Sequence, residues 1–460
     1  MALYSPASVQ SVDLNSTFHG RLDTLFRSTT LPAIIEILKD TGRFYCLTWT
    51  PETAPTPVHP FWDTDSYKSF EAICYFLIKQ DDPGIRKELE AYVDIVKKAQ
   101  WEDGYLSAYY TVHGPEKRFT NLRDDHELYT IGHLAEFAAG YYYLTGSHDL
   151  IDVVRRFVQL MHKTIIPKGA YDGHQELELA LMRLYEITGD SLLLDTAGYL
   201  IQERGKSDSE GRIYFDHECI ARGVDPVKDF RDKANFRFPR DYAYMQAHLP
   251  ITEQKEIDGH CVRAIYWLTG ALRYGLQTPD KSKDIVDKVH ELFDGMVKTK
   301  MYLTGGLGAV ARNEGFGPAY YLPDLRDAGG CYSETCASFA MVMICQQFLR
   351  AKLEARYGDL MEMNLMNCIL GAVGMEGECL TIISLVCVLL MVCPQAPHST
   401  TRTLWRPHLA IPGLGRSGSR SPAAHQTSSK LSVSWAQCNS QRGRTQLPFT
   451  CTSVRILRRR

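Results

Sequence analysis

The feature that most restricts the fold of this 460-residue chain is a helical unit that recurs four times between residues 126 and 367. Each copy has a first helix with polar residues at its start, a short turn, and a second helix with one polar face. Apolar residues recur at spacings of three and four throughout, as helices with a buried face require. The four copies begin at His126, Gly173, Gly259 and Ser333.

The two helices of each copy differ in character, and a closed ring explains this difference better than an open solenoid. The first helix is apolar on nearly all sides, which predicts burial, whereas the polar face of the second predicts contact with water. The sequence therefore predicts an all-α (α/α)6 toroid whose inner helices begin around one cavity. The polar residues that start the copies would meet there: His126, His174, His260 and Glu334.

Histidines and aromatic residues at these helix starts indicate the kind of ligand that the cavity would take. A single histidine at a helix start more often caps or packs, but its recurrence in three copies favours a binding role. Aromatic faces stack on sugar rings and imidazoles bond sugar hydroxyls, so the pattern predicts a carbohydrate site. The aromatic candidates are Trp62, Tyr105, Tyr109 and Tyr129.

The stretch YSETCAS at residues 332–338 places the carboxylate of Glu334 and the thiol of Cys336 at the start of an apolar helix. Residues two apart within a helix point in different directions, but they can face the same way where the backbone is still extended. Mixed oxygen and sulfur donors suit zinc. Two ligands do not make a metal site, however, so a buried core cysteine is the alternative interpretation.

The composition of the chain changes abruptly after Glu378, its last acidic residue. Residues 379–460 contain ten Arg, one Lys and no acid, whereas the residues before them contain 40 basic and 54 acidic side chains. A bias toward Ser, Pro and Arg is typical of a chain without a packed core. We therefore expect a domain over residues 1–378 and a poorly ordered tail over 379–460. A shifted reading frame or retained intron is one hypothesis for the tail, and a basic arm is the other.

Charge and termini bear on partners and location. A net charge of −3 gives no reason to expect a nucleic-acid partner. The first residues lack a basic and an apolar region of a secretory signal, which predicts a cytoplasmic location. The thirteen cysteines are scattered, as reduced thiols are. The apolar run at 379–393 is shorter than the roughly 18 residues that span a bilayer, so no membrane partner is expected. A homo-oligomer is possible.

Six motifs, in order along the chain, resemble the β-L-arabinofuranosidase family of glycoside hydrolases, family 127. The resemblance covers roughly residues 15 to 378. It implies an (α/α)6 barrel followed by β-sandwich domains, and hydrolysis that retains anomeric configuration through a zinc-bound cysteine nucleophile. The motifs are DGYLSAYYT, HELYTIGHLAE, GHQELELALMRLYEITGD, DGHCVRAIYWLTG, MYLTGGLGA and YSETCAS.

The resemblance also implies roles for individual residues. Glu314, upstream of the LPD turn, would be the acid/base that protonates the leaving oxygen and then activates water. Burial would have to raise its pKa for this role near neutral pH. The other roles fall on the sugar-contacting histidines His126, His174 and His260 and on the zinc ligands Glu334 and Cys336.

This chain departs from the family pattern at the nucleophile. The family carries its nucleophile and fourth zinc ligand in an adjacent Cys-Cys pair followed by Pro-Pro, and this chain has no adjacent cysteine pair. Because the number of ligands sets metal affinity, we expect weak zinc binding, an incomplete toroid and an impaired glycosidase. The alternatives are a non-catalytic sugar-binding pseudoenzyme, and a carboxylate-only (α/α)6 glycosidase or epimerase that pairs Glu314 with Glu178 or Asp258.

Overall fold

The computed structural model describes residues 4, 12, 17–50, 52, 58–229, 236–324 and 331–373. Within this part the chain is helical, and β structure is limited to isolated bridges such as His260 with Gly315. None of the described helices has the length and apolar character needed to cross a membrane. The boundary expected at 378 and the basic tail at 379–460 lie outside the described residues.

Fifteen α-helices lie in the described part of the chain, several of them short. A π-helical turn at Phe26–Thr30 joins the first two. The helices are α1 (Thr17–Leu25), α2 (Leu31–Asp40), α3 (Trp62–Lys79), α4 (Pro83–Ala99), α5 (Ala108–His113), α6 (Leu122–Asp125), α7 (Glu127–Thr145), α8 (Asp149–Thr164), α9 (Leu177–Thr188), α10 (Ser191–Glu203), α11 (Tyr214–Ala221), α12 (Cys261–Gln277), α13 (Lys283–Thr299), α14 (Thr335–Ala351) and α15 (Ala355–Met363).

Within these residues the helices form five hairpins, each of an inner and an outer helix: α3 with α4, α7 with α8, α9 with α10, α12 with α13, and α14 with α15. The inner helices pack in the order α3, α7, α9, α12, α14. This arrangement confirms the all-α toroid of helical hairpins. The α3/α4 hairpin is a copy that the sequence pattern did not single out, and α2 packs against both of its helices.

The inner and outer helices differ in burial as their sequences predict. Helix α7 is buried on all sides from Glu127 to Tyr141, whereas α8 buries one face and exposes charged side chains on the other. Close packing requires a small residue where α7 meets α9. A Cβ at Gly132 would lie 2.5 Å from Cγ of Glu176 and 2.9 Å from the backbone nitrogen of Leu177. Glycine therefore allows the backbones of these two helices to approach each other.

Ion pairs link the inner helices, and those of Arg183 are fully buried. Arg183 of α9 contacts Glu136 of α7 and lies 3.2 Å from Glu71 of α3. Glu186, one turn further along α9, pairs at 2.8 Å with Arg273 of α12. Each charge has its partner on another helix, so these pairs tie elements that are distant in sequence.

Candidate functional site

The structure brings together the three histidines that the repeats place at the starts of inner helices. The ring centroids of His126 and His174 lie 5.8 Å apart, and those of His174 and His260 also lie 5.8 Å apart. Tyr129 packs against this cluster, with its ring centroid 4.4 Å from that of His174. The ring of Tyr244 flanks the other end, 5.8 Å from that of His260. We name this group of rings the histidine cavity, after the cavity that the sequence predicts at the starts of the inner helices.

His126 immediately precedes α7 and has a left-handed backbone with φ of 60°. This conformation is uncommon outside glycine. Its Nδ1 lies 2.6 Å from the carbonyl oxygen of Asp124. Burial, and then the charge of Arg263, lowers the pKa of His126 to about 3. The imidazole is therefore neutral at physiological pH.

His174 lies three residues before α9, and its backbone N–H donates to the carboxylate of Asp172 at 2.8 Å. Its Nδ1 is buried and has no hydrogen-bond partner among the described residues. Burial, and then Arg263, holds the pKa of this histidine well below its usual value. Most buried polar atoms have a hydrogen-bond partner, so the unpaired Nδ1 indicates a place for a polar group of a ligand. Because the imidazole is neutral, that ligand group need not carry a charge.

His260 caps α12 and contacts the candidate acid/base. Its Nδ1 accepts from the backbone N–H groups of Val262 at 3.2 Å and Arg263 at 3.5 Å. Its Nε2 lies 3.0 Å from Oε2 of Glu314. Since Nδ1 accepts, the proton of the ring is on Nε2 and points to the carboxylate. The carbonyl of Glu314 in turn accepts from the N–H of Cys261 at 3.1 Å, which fixes this loop to the start of α12.

Glu334 and Cys336 lie at the start of α14 and are hydrogen-bonded to each other. The backbone at Glu334 is extended, with φ of −64° and ψ of 138°, so both side chains face the same way. Burial raises the pKa of Glu334, and its Oε2 has no hydrogen-bond partner among the described residues. In that part of the chain, however, no three His, Cys, Asp or Glu side chains are grouped so that they could hold a metal ion. A carboxylate and a thiol therefore lie side by side here, without a third such side chain among the described residues.

Two cationic residues of the site were given no role by the sequence: Lys68 lies outside the six motifs, and Arg263 lies within DGHCVRAIYWLTG. Lys68 of α3 is buried and donates to the hydroxyl of Tyr129 at 2.8 Å, and burial lowers its pKa to about 8. It also interacts electrostatically with Glu334 and Cys336, which connects them to the cavity. Arg263 of α12 contacts the ring of His126, with a terminal nitrogen 3.3 Å from Nε2. A charged residue within an apolar inner helix is the signal that could have identified both.

The other aromatic candidates from the sequence pack mainly against other side chains. Tyr105 is buried against Phe119 and donates to Glu127 at 2.5 Å, so it is a core residue and not a cavity residue. The ring of Tyr109 packs against that of His113, and Trp62 lies under the guanidinium of Arg43.

The two carboxylates considered as partners of Glu314 lie near arginines. Asp258 pairs with Arg237 at 2.9 Å. Glu178 is buried and lies 3.9 Å from Arg204.

Comparison with known proteins identifies the family. A family model described as the GH127 catalytic domain of β-L-arabinofuranosidase matches residues 11–385. The chain belongs to glycoside hydrolase family 127. It is 32% identical over 327 residues to a non-reducing end β-L-arabinofuranosidase of Bifidobacterium longum subsp. longum, which covers 69% of this chain and 47% of the relative.

Solved structures give the same family. A GH127 β-L-arabinofuranosidase from Geobacillus stearothermophilus T6 superposes with a TM-score of 0.72 at 33% identity, over 80% of this chain and 57% of that one. A second GH127 β-arabinofuranosidase superposes with a TM-score of 0.67 at 28% identity, over 81% of this chain and 55% of that one. The chain thus spans about half the length of the relatives that it matches.

Proposed function

We propose that this chain of family 127 binds β-L-arabinofuranosides in the histidine cavity. We also propose that it has the acid/base residue of a retaining glycosidase but lacks the nucleophile. The observation that carries the proposal is the contact at 3.0 Å between Nε2 of His260 and the carboxylate of Glu314 at the edge of this cavity. The names of the relatives support the sugar, since they are β-L-arabinofuranosidases.

The cavity has the surfaces that a furanose ring needs. The rings of Tyr129 and Tyr244 flank the histidines, where an aromatic ring can pack against a sugar, and neutral imidazoles offer hydrogen bonds to hydroxyl groups. Nδ1 of His174 is a buried polar atom that a hydroxyl of the sugar would satisfy. Because His126 and His174 stay neutral, the site does not favour a charged ligand through them.

Glu314 would act as the acid/base. As a carboxylic acid it would protonate the leaving oxygen, and as a carboxylate it would then take a proton from water. The Nε2–H of His260 donates to its Oε2 and so orients the carboxyl group and stabilises the form that acts as base. The backbone of Glu314 is in a left-handed conformation with φ of 53°, which fixes the direction of its side chain.

We also propose that the chain binds zinc weakly, because its zinc site is incomplete. Glu334 and Cys336 would supply two ligands, and the unsatisfied Oε2 of Glu334 fits a bound cation. When bound, zinc would hold thiols deprotonated at neutral pH. We expect elemental analysis to find less than one zinc ion per chain. The variant Cys336→Ser should bind less zinc than the wild type. A full equivalent of zinc would show that residues outside the described part complete the site.

A non-catalytic sugar-binding protein is the second candidate. It is favoured by one observation: Glu314 contacts the histidine cluster, whereas the sequence has no adjacent cysteine pair to match the nucleophile element of the family. We therefore infer that hydrolysis is impaired. The carboxylate-only mechanism is the third, and the arginine partner of Asp258 argues against it. The cytoplasmic location and oligomeric state stay predictions.

Two measurements separate these functions. Turnover of p-nitrophenyl β-L-arabinofuranoside reports hydrolysis, and calorimetry with methyl β-L-arabinofuranoside reports binding. For an enzyme, Glu314→Gln should lower turnover by about 10²–10⁴-fold and leave affinity within about threefold. Binding without turnover identifies the sugar-binding protein. Turnover that persists in Cys336→Ala would point to carboxylate chemistry, and absence of both turnover and binding would contradict the proposal.

A further inference from the structure

Both ring nitrogens of His126 are hydrogen-bonded by the protein, and together they fix its tautomer. Nδ1 lies 2.6 Å from the carbonyl oxygen of Asp124, and a carbonyl can only accept, so Nδ1 carries the proton. Nε2 lies 3.3 Å from a terminal nitrogen of Arg263, and a guanidinium can only donate, so Nε2 accepts. One neutral tautomer meets both conditions. Without a change in these contacts, His126 has no ring nitrogen left for a ligand.

Arg263 is held within the cavity by two further contacts. Its other terminal nitrogen donates to the carbonyl of Gly173 at 2.7 Å, immediately before His174. Its guanidinium lies over the ring of Tyr244, 4.7 Å from the centroid. Only 6% of the residue is exposed, and Nε has no hydrogen-bond partner among the described residues. A buried guanidinium with unused donor capacity therefore lies in the wall of the proposed sugar site.

The contact between Arg263 and His126 is the weak one in this arrangement. At 3.3 Å it is longer than the roughly 2.9–3.0 Å that is usual for an N–H donor. A hydroxyl group placed between the two side chains would replace it with two hydrogen bonds. The hydroxyl would accept from Arg263 and donate to Nε2 of His126, and no proton would have to move.

We propose that Arg263 is a specificity-determining residue that acts with His126 as a donor–acceptor pair to recognise one free hydroxyl of the bound sugar. This inference rests on the proposed function. A hydroxyl can both donate and accept, whereas fluorine cannot donate and hydrogen can do neither. Either replacement leaves Nε2 of His126 without the donor that it needs in the complex. The pair therefore rejects sugars that lack this hydroxyl.

The test is calorimetry with methyl β-L-arabinofuranosides in which each hydroxyl in turn is replaced by fluorine or hydrogen. We expect one position at which both replacements weaken binding to the wild-type chain by about 10- to 100-fold. In Arg263→Gln the loss at this position should shrink to less than about threefold, with losses at the other positions unchanged. Arg263→Lys keeps a donor and should restore part of the selectivity. Thermal unfolding of each variant controls for folding.

Two outcomes would overturn the assignment of Arg263. Uniform weakening at every position in Arg263→Gln would show a purely structural role, and wild-type selectivity retained in this variant would show no role. A wild-type chain that binds no arabinofuranoside would instead contradict the proposed function, and the hydroxyl recognition with it.

Nitrogen-15 NMR of the histidines gives a readout without sugar: we expect the Nδ1–H tautomer for His126, and an Nε2–H tautomer would overturn the pair.

Discussion

At the scale of single residues, His174 combines burial with a ring nitrogen that has no hydrogen-bond partner among the described residues. Ligand binding would satisfy this atom, so its removal should affect affinity more than folding. We expect His174→Phe, which keeps the ring packing against Tyr129, to weaken binding of methyl β-L-arabinofuranoside by about 10- to 100-fold. Calorimetry measures this loss. An unchanged affinity would place the sugar elsewhere.

The neutral state of His126 has a consequence for stability as a function of pH. The unfolded chain protonates this histidine below about pH 6.5, but the folded chain does so only near pH 3. The unfolded state therefore binds more protons in this window, and the contribution of His126 is present above pH 6.5 and lost as pH falls below it. Between pH 7 and 5 the lost free energy of unfolding is about 2 kcal/mol.

His126→Asn tests this dependence on pH. Denaturant unfolding at pH 7 and 5 should show a fall in stability that is about 2 kcal/mol smaller for the variant than for the wild type. The difference between the two pH values is the readout, because loss of the contacts with Asp124 and Arg263 affects both measurements. Equal falls in the two proteins would mean that the folded state accepts a proton on this ring.

At the scale of helices, the packing of α7 on α9 depends on Gly132. A side chain there would meet the backbone of Leu177 and the side chain of Glu176, and backbone atoms cannot move aside cheaply. Gly132→Ala should lower the free energy of unfolding by about 1–3 kcal/mol. Because α9 begins next to His174, the change should also weaken sugar binding.

Gly295 of α13 provides the matched control, since a Cβ at this position would meet no atom within 4 Å. Gly295→Ala removes backbone freedom from the unfolded chain within an outer helix, so it should stabilise by about 0.5–1 kcal/mol. Denaturant unfolding compares the two variants. The same sign of effect in both would show that helix propensity and not helix packing determines the result at Gly132.

At the scale of the whole molecule, the hairpins could be predicted where each helix shows its own local pattern. The α3/α4 hairpin was missed because the inner helix α3 buries Asp65, Lys68 and Glu71, which look like surface residues in sequence. Their partners lie on other helices and cannot be identified from local spacing. The same limit applies within the site, because Arg263 meets His126 across 137 positions. The resemblance implied sugar contacts for the histidines but not the arginine between them.

A buried arginine on α9 connects inner helices that are far apart in sequence. Arg183 is 1% exposed. It contacts Glu136 and lies 3.2 Å from Glu71, so it joins the three inner helices α9, α7 and α3. Its removal leaves two carboxylates close together without a cation, and the cost should be about 3–5 kcal/mol in Arg183→Met. Lys283→Met, which breaks the exposed pair with Asp287 on α13, should change stability by less than about 0.5 kcal/mol.

Proton uptake on folding separates an electrostatic role of Arg183 from a packing role. Burial already raises the pKa of Glu71 well above its usual range, and Arg183 opposes this effect. Without the guanidinium, Glu71 and Glu136 should take up a proton on folding, so Arg183→Met should recover part of its lost stability at acidic pH. Denaturant unfolding from pH 8 to 5 measures this recovery. A loss of stability that is constant across this range would mean that the arginine acts by filling space between the helices.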